Sequence, residues 1–146
     1  MKRLFLLVGA LGLWAAAVAA PEVNIVPKPL SVEAGDGTFT VDAATVVTVG
    51  KDAALRSVGE LFAAMIEPVT GRTVKVKAAA DGAKIALTVD SVLGEEEYLL
   101  RVTPAGVDVC GGSAKGVLYG LQSLRQLVIE GDGTVAAVTV KDKPYF

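Results

Sequence analysis

Gly111-Gly112-Ser113-Ala114-Lys115-Gly116-Val117-Leu118-Tyr119-Gly120-Leu121-Gln122-Ser123-Leu124-Arg125-Gln126-Leu127-Val128-Ile129-Glu130 is the longest helical pattern in the chain once an N-terminal leader is set aside. Glycines at 112, 116 and 120 recur every four residues, which places them on one side of a helix, with Leu124 and Val128 continuing that side. Each glycine inside a helix costs about 0.5–1 kcal/mol relative to alanine. Close approach to a sheet is the expected compensation, with Leu121, Leu124 and Val128 filling the space beyond. The helix is therefore read as the back of a core on which strands are laid.

Working outward from it, Tyr98–Thr103 and Val107–Cys110 alternate as two strands joined by a Pro104-Ala105-Gly106 turn, the clearest hairpin in the chain. Gly131-Asp132-Gly133 ends the helix, and 135–140 reads as a last strand. Upstream, Asp52 caps a second helix whose Leu55, Val58, Phe62 and Met65 fall at helical spacing, with Pro68 expected to end it. Thr45–Val49, Thr73–Lys77 and Lys84–Val89 read as strands, the last two joined through Asp81-Gly82. Gly35-Asp36-Gly37 predicts a hairpin within Ser31–Val41. Pro27 and Pro29 confine Glu22–Leu30 to an extended or edge segment. Two helices and mostly hairpin connections predict an α+β two-layer sandwich: a largely antiparallel sheet with both helices packed on one face.

The first residues stand apart. Lys2 and Arg3, the apolar run 4–18 and Ala17-Val18-Ala19 describe a secretory signal peptide over residues 1–19. The run is too short for the roughly 20 residues that span a bilayer. Residues 20–146 form one domain, placed outside the cell or in the periplasm. The formal net charge of −2 falls to −4 without Lys2 and Arg3, and such a surface offers no footprint for nucleic acid or a membrane. Cys110 is the only cysteine, so no internal disulfide forms, and it is expected to be a small buried apolar residue.

No chemistry is legible in the residues themselves. Gly111 and Gly116 share the spacing of a phosphate loop, but Lys115 precedes the second glycine instead of following it. The dinucleotide pattern fails too, for want of an acidic partner on a neighbouring strand. The chain has no histidine, which removes the commonest base and zinc ligand. Glu95-Glu96-Glu97 lacks the spacing of a calcium loop and reads as a solvated loop. Acidic residues fall in turns, caps and loops, and aromatic platforms for sugars are scarce. Catalytic, substrate-binding and metal-ligating candidates are none, and no cofactor is implied.

Four stretches carry a resemblance. Asn24-Ile25-Val26-Pro27-Lys28-Pro29 resembles the Ile-x-Pro-x-Pro opening of mature family 20 glycoside hydrolases, the β-N-acetylhexosaminidases. Tyr98-Leu99-Leu100-Arg101-Val102 with Val107-Asp108-Val109, followed by the run 116–127, resembles the end of that family's non-catalytic N-terminal domain. Asp142-Lys143-Pro144-Tyr145-Phe146 is similar to its Asp-x-Pro-Arg-Phe, with Tyr145 where the family has arginine. The resemblance implies an antiparallel-rich sheet with two helices on one face, followed by a catalytic (β/α)₈ barrel. It implies a substrate-assisted removal of terminal N-acetylhexosamine from glycans by that barrel. The barrel's substrate-binding arginine and Asp-Glu pair fall beyond the equivalent of Phe146, so no position here inherits them. The expected role is that of an accessory domain whose partner is the barrel. The alternatives are a free-standing extracellular binding or interaction module, and the accessory domain of another glycosidase family.

Overall fold

The structure, a computed structural model, describes residues 23–82 and 84–144. The signal-peptide reading of residues 1–19 and the closing Tyr145-Phe146 lie outside the described residues. The elements are β1 (Ser31–Thr40), β2 (Val46–Thr48), α1 (Ala53–Thr70), β3 (Lys75–Lys77), β4 (Lys84–Val89), β5 (Tyr98–Thr103), β6 (Gly106–Gly111), α2 (Ala114–Glu130) and β7 (Thr134–Asp142). The strands form one sheet in the order β1-β7-β5-β6-β4-β2-β3.

Two packed layers give the α+β class expected. Helix α2 lies on β4 to β7, α1 lies on β2 to β4, and the helices touch each other, so both cover one face. Strand alternation follows: Leu100, Val102, Val107 and Val109 are buried beneath the helices, while Arg101 and Asp108 are exposed on the open face. Both helices begin at side-chain caps. Asp52 accepts from the Ala54 and Leu55 amides at 2.9 and 3.1 Å, and Ser113 accepts from those of Lys115 and Gly116 at 3.1 and 3.4 Å, satisfying donors the first helical turn cannot pair.

The long strands β1, β7, β5 and β6 pair antiparallel, so most of the paired length is antiparallel. The shorter joins of β4 with β6 and of β2 with β3 and β4 are parallel. Each helix is thus a crossover between parallel strands. This corrects the hairpin expected through Asp81-Gly82: β3 and β4 do not pair with each other but flank β2.

Four other expectations change. Ser31–Val41 is no hairpin; 31–34 and 38–40 both pair with β7, and Gly35-Asp36-Gly37 forms a bulge between them, with Gly37 at φ 90°. Helix α1 runs past Pro68 to Thr70, because a proline in the last turn removes only one bond. Gly71 then closes it at φ 65°, donating its N–H to the Glu67 carbonyl. Cys110 is half-buried rather than buried, since it lies on the open face between Leu99 and Thr88. Gly112 precedes the Ser113 cap and is not helical.

Candidate functional site

The glycines of the 111–130 stretch have three different surroundings. A Cβ at Gly112 would strike the Gly94 carbonyl, and one at Gly116 would lie 2.5 Å from the Glu97 carbonyl oxygen. Both therefore seat the 94–97 loop. Gly120 lets α2 down onto the sheet, where a Cβ would stand 2.7 Å from Val109 Cγ1, and Gly111 at the end of β6 does so for the first turn, where a Cβ would strike the Val117 nitrogen. The backbone around them is occupied by protein. Ser113 Oγ donates to the Glu95 carbonyl at 2.7 Å, and the Gly112 N–H donates to that of Glu97 at 3.0 Å. Glu96 pairs with Lys115, raising the lysine's pKa chiefly through that hydrogen bond. Glu97 Oε2 accepts from the Gly94 amide at 2.8 Å. The acidic triplet thus spreads over separate partners.

The stretches that carry the resemblance converge elsewhere. A half-open pocket with about 80 Å³ of free space is lined by Val26 and Pro27 from the opening motif and by Tyr98 from β5. Tyr119, Gln122, Ser123 and Gln126 line it from α2, and Asp142 and Pro144 from the closing motif. Their positions are held by bonds that span the chain. The Val26 N–H donates to Gln126 Oε1 and Gln126 Nε2 donates to the Val26 carbonyl, both at 2.8 Å. Asp142 Oδ1 accepts from the Leu30 amide at 3.2 Å. Beneath them, Tyr98 Oη and Ser123 Oγ share a buried hydrogen bond of 2.7 Å. Burial raises the Tyr98 phenol above its ordinary pKa, the Ser123 bond lowers it in part, and the nearby Asp142 carboxylate raises it further.

This is a joint between chain segments more than a seat for chemistry. Small-molecule sites occupy roughly 300–1,000 Å³, well above this pocket. Its one carboxylate, Asp142, already accepts from a backbone amide. A larger hollow of about 280 Å³ beside Val23, Leu127 and Thr134 has Glu130 as its single acidic side chain, so it lacks the paired carboxylates of most glycosidases. Sequence reasoning named no residue of the 80 Å³ pocket as a site. The signal available was the co-occurrence of the four resembling stretches, and its meaning needed the fold that brings them together.

Known proteins resemble the chain over most of its length. The family model described as "Glycosyl hydrolase family 20, domain 2" matches residues 22–143. A β-N-acetylhexosaminidase of Cellulomonas fimi is 36% identical over 134 residues, covering 86% of this chain and 27% of that protein. A β-hexosaminidase of Porphyromonas gingivalis is 32% identical over 137 residues, covering 85% and 18%. Among solved structures, a Streptomyces plicatus β-hexosaminidase, an Asp-to-Asn mutant in complex with GlcNAc, superposes with a TM-score of 0.74 at 31% identity, covering 84% of this chain and 26% of that one. The chain therefore spans about a quarter or less of the length of these relatives. On the match over residues 22–143, the chain belongs to glycosyl hydrolase family 20 and corresponds to that family's domain 2.

Proposed function

We propose that the chain is the accessory, non-catalytic domain of a secreted β-N-acetylhexosaminidase, supporting the catalytic barrel that would remove terminal N-acetylhexosamine from glycans. The observation that carries this reading is the pairing of two facts. The domain match runs along nearly the whole described fold, yet the chain covers only 27% and 18% of the length of two relatives. The geometry supports it: the family-like stretches are spent on a joint, and the hollows of about 80 and 280 Å³ each hold a single acidic side chain. Recognition of the glycan, in this reading, belongs to the barrel.

An assay with a chromogenic N-acetylglucosaminide tests it. The chain alone is expected to release no nitrophenol, and the longer polypeptide that joins it to a barrel is expected to release it. Turnover that stays with this chain at constant specific activity through purification would remove the accessory reading. Export is a further part of the proposal, with cleavage after Ala19. N-terminal sequencing of the exported protein should then begin at Ala20, whereas a retained Met1 would count against it.

A further inference from the structure

A third hollow lies on the face of the sheet that the helices leave open. In register across that face stand Glu33 of β1, Thr139 of β7, Arg101 of β5 and Asp108 of β6. The bulge of β1 folds over it. A Cβ at Gly35 would stand 3.3 Å from that of Ala137, which is only 4% exposed although it alternates with the helix-facing Val138. One at Gly37 would strike Pro104 Cγ at 2.6 Å. Two glycines thus seat the bulge against β7 and the β5–β6 turn, where it makes a wall. Beside the wall is a half-open cleft with about 180 Å³ of free space, lined by Glu33, Asp36, Arg101, Thr103, Pro104 and Thr139.

The charged groups of this cleft are not spent within the fold. Among the described residues, no side-chain hydrogen bond or ion pair engages Glu33, Asp36 or Arg101. Thr103 Oγ1 donates to the Gly106 carbonyl at 3.2 Å, which leaves its lone pairs free to accept. The lining therefore offers two carboxylate acceptors, the donors of one planar guanidinium, and threonine hydroxyls that serve either way. An anion drawn to Arg101 would be repelled by both carboxylates. A bare cation held by the carboxylates would leave the Arg101 donors without an acceptor, beside a like charge. A neutral molecule with adjacent hydroxyls satisfies both sets, donating to the carboxylates and accepting from the guanidinium. Edge strands are commonly blunted by a bulge or a charge, but that purpose requires neither Arg101 nor a cleft. The space falls short of the roughly 300 Å³ of ordinary small-molecule sites, so the cleft takes one ring of a longer molecule.

We propose that this cleft binds a neutral saccharide through its hydroxyl groups. Both carboxylates are exposed, and the apolar burial that fits one member of a glycosidase pair to act as an acid is lacking. The cleft therefore holds and does not cleave. The proposal stands on the chemistry of the lining alone and is independent of the hexosaminidase reading.

Titration of the full-length chain with neutral saccharides, followed by amide nuclear magnetic resonance, tests it. The probes are N,N′-diacetylchitobiose, cellobiose and maltose, with sodium acetate and calcium chloride as ion controls. At least one saccharide should shift the Gly35, Asp36, Arg101 and Thr139 amides together and saturate at millimolar concentration. Arg101→Met and Asp36→Ala should each weaken that binding about tenfold. Arg125→Met removes an exposed cation on α2 and should leave the affinity unchanged. All three substitutions are at exposed positions and should melt within about 3 °C of the parent. The proposal is overturned if none of the three sugars shifts those amides, if the shifts survive Arg101→Met, or if only the ions move them.

Discussion

Replacing Gly116 by alanine should destabilise the fold, although alanine is the better helix former. The substitution favours α2 by about 0.5–1 kcal/mol. Against this, the new Cβ would lie 2.5 Å from the Glu97 carbonyl oxygen and 3.2 Å from that of Glu95. Neither oxygen can swing away as a side chain could. That of Glu97 accepts from the Gly112 amide and that of Glu95 from Ser113 Oγ, so relief requires the helix and loop to separate. Overpacking of this kind costs about 1–3 kcal/mol, and the upper half applies where backbone is struck. The net expectation is a loss of about 1–2 kcal/mol, or roughly 4–8 °C in Tm for a domain of this size. Gly59→Ala in α1 is the control. Its Cβ would meet Val47 and Val49 methyls and Leu87 at 3.2 to 3.4 Å, contacts that side chains relieve by small shifts, so it should stay within about 0.5 kcal/mol of the parent. Gly120→Ala, facing the buried Val109 and Tyr98 side chains, should fall between them. Urea midpoints at unchanged m-value read the series. A Gly116→Ala protein as stable as the parent, or less harmed than Gly59→Ala, would refute the account of the glycines as a seat for the 94–97 loop.

Burial raises the Tyr98 phenol pKa on folding, so its share of stability is complete below the ordinary value near 10 and is lost as pH rises through the raised one. Urea midpoints from pH 8 to 11 should therefore drop, and Tyr98→Phe should flatten the drop while costing about 1 kcal/mol at pH 8 for the lost Ser123 bond. Gln126→Ala removes both bonds to Val26 and should cost about 1–2 kcal/mol; hydrogen exchange at the Val26 amide should accelerate while the Leu100 and Val109 amides keep their protection. Asp52→Ala deletes the acceptor for two amides of α1 and should cost about 1 kcal/mol by thermal unfolding, with Asp52→Ser restoring most of it.

What could be read from the residues depended on how local the determining contacts are. Helix α2 and the β5–β6 hairpin were legible because period and turn lie within a few residues of one another. The bulge in β1 was not: Gly35-Asp36-Gly37 signals a reversal and a bulge equally well, and pairing of both flanks with β7 settles it from about a hundred residues away. The parallel pairing of β2 with β3 and β4 has the same long-range origin, and Val46–Thr48 and Lys75–Lys77 are too short to declare a neighbour. Pro68 misled because its cost depends on its position in the turn, which the glycine at 71 decides. At the joint, Val26 meets Gln126 and Leu30 meets Asp142 across 100 and 112 residues. Each of those stretches could be recognised alone, and their meeting could not.

The pairing of β1 with β7 has a mechanical consequence. Ser31, the first residue of β1, lies opposite Lys141 near the end of β7, so β1 begins and β7 ends at the same corner of the sheet. Tension applied at Ser31 and Asp142 would act across the bonds of that one edge pair, which lie perpendicular to the strands. The bonds would be loaded one after another instead of together. The edge would unzip at low force, starting beside the bond from Leu30 to Asp142, and the parallel half of the sheet, held by α1 and α2, would be the last to bear load.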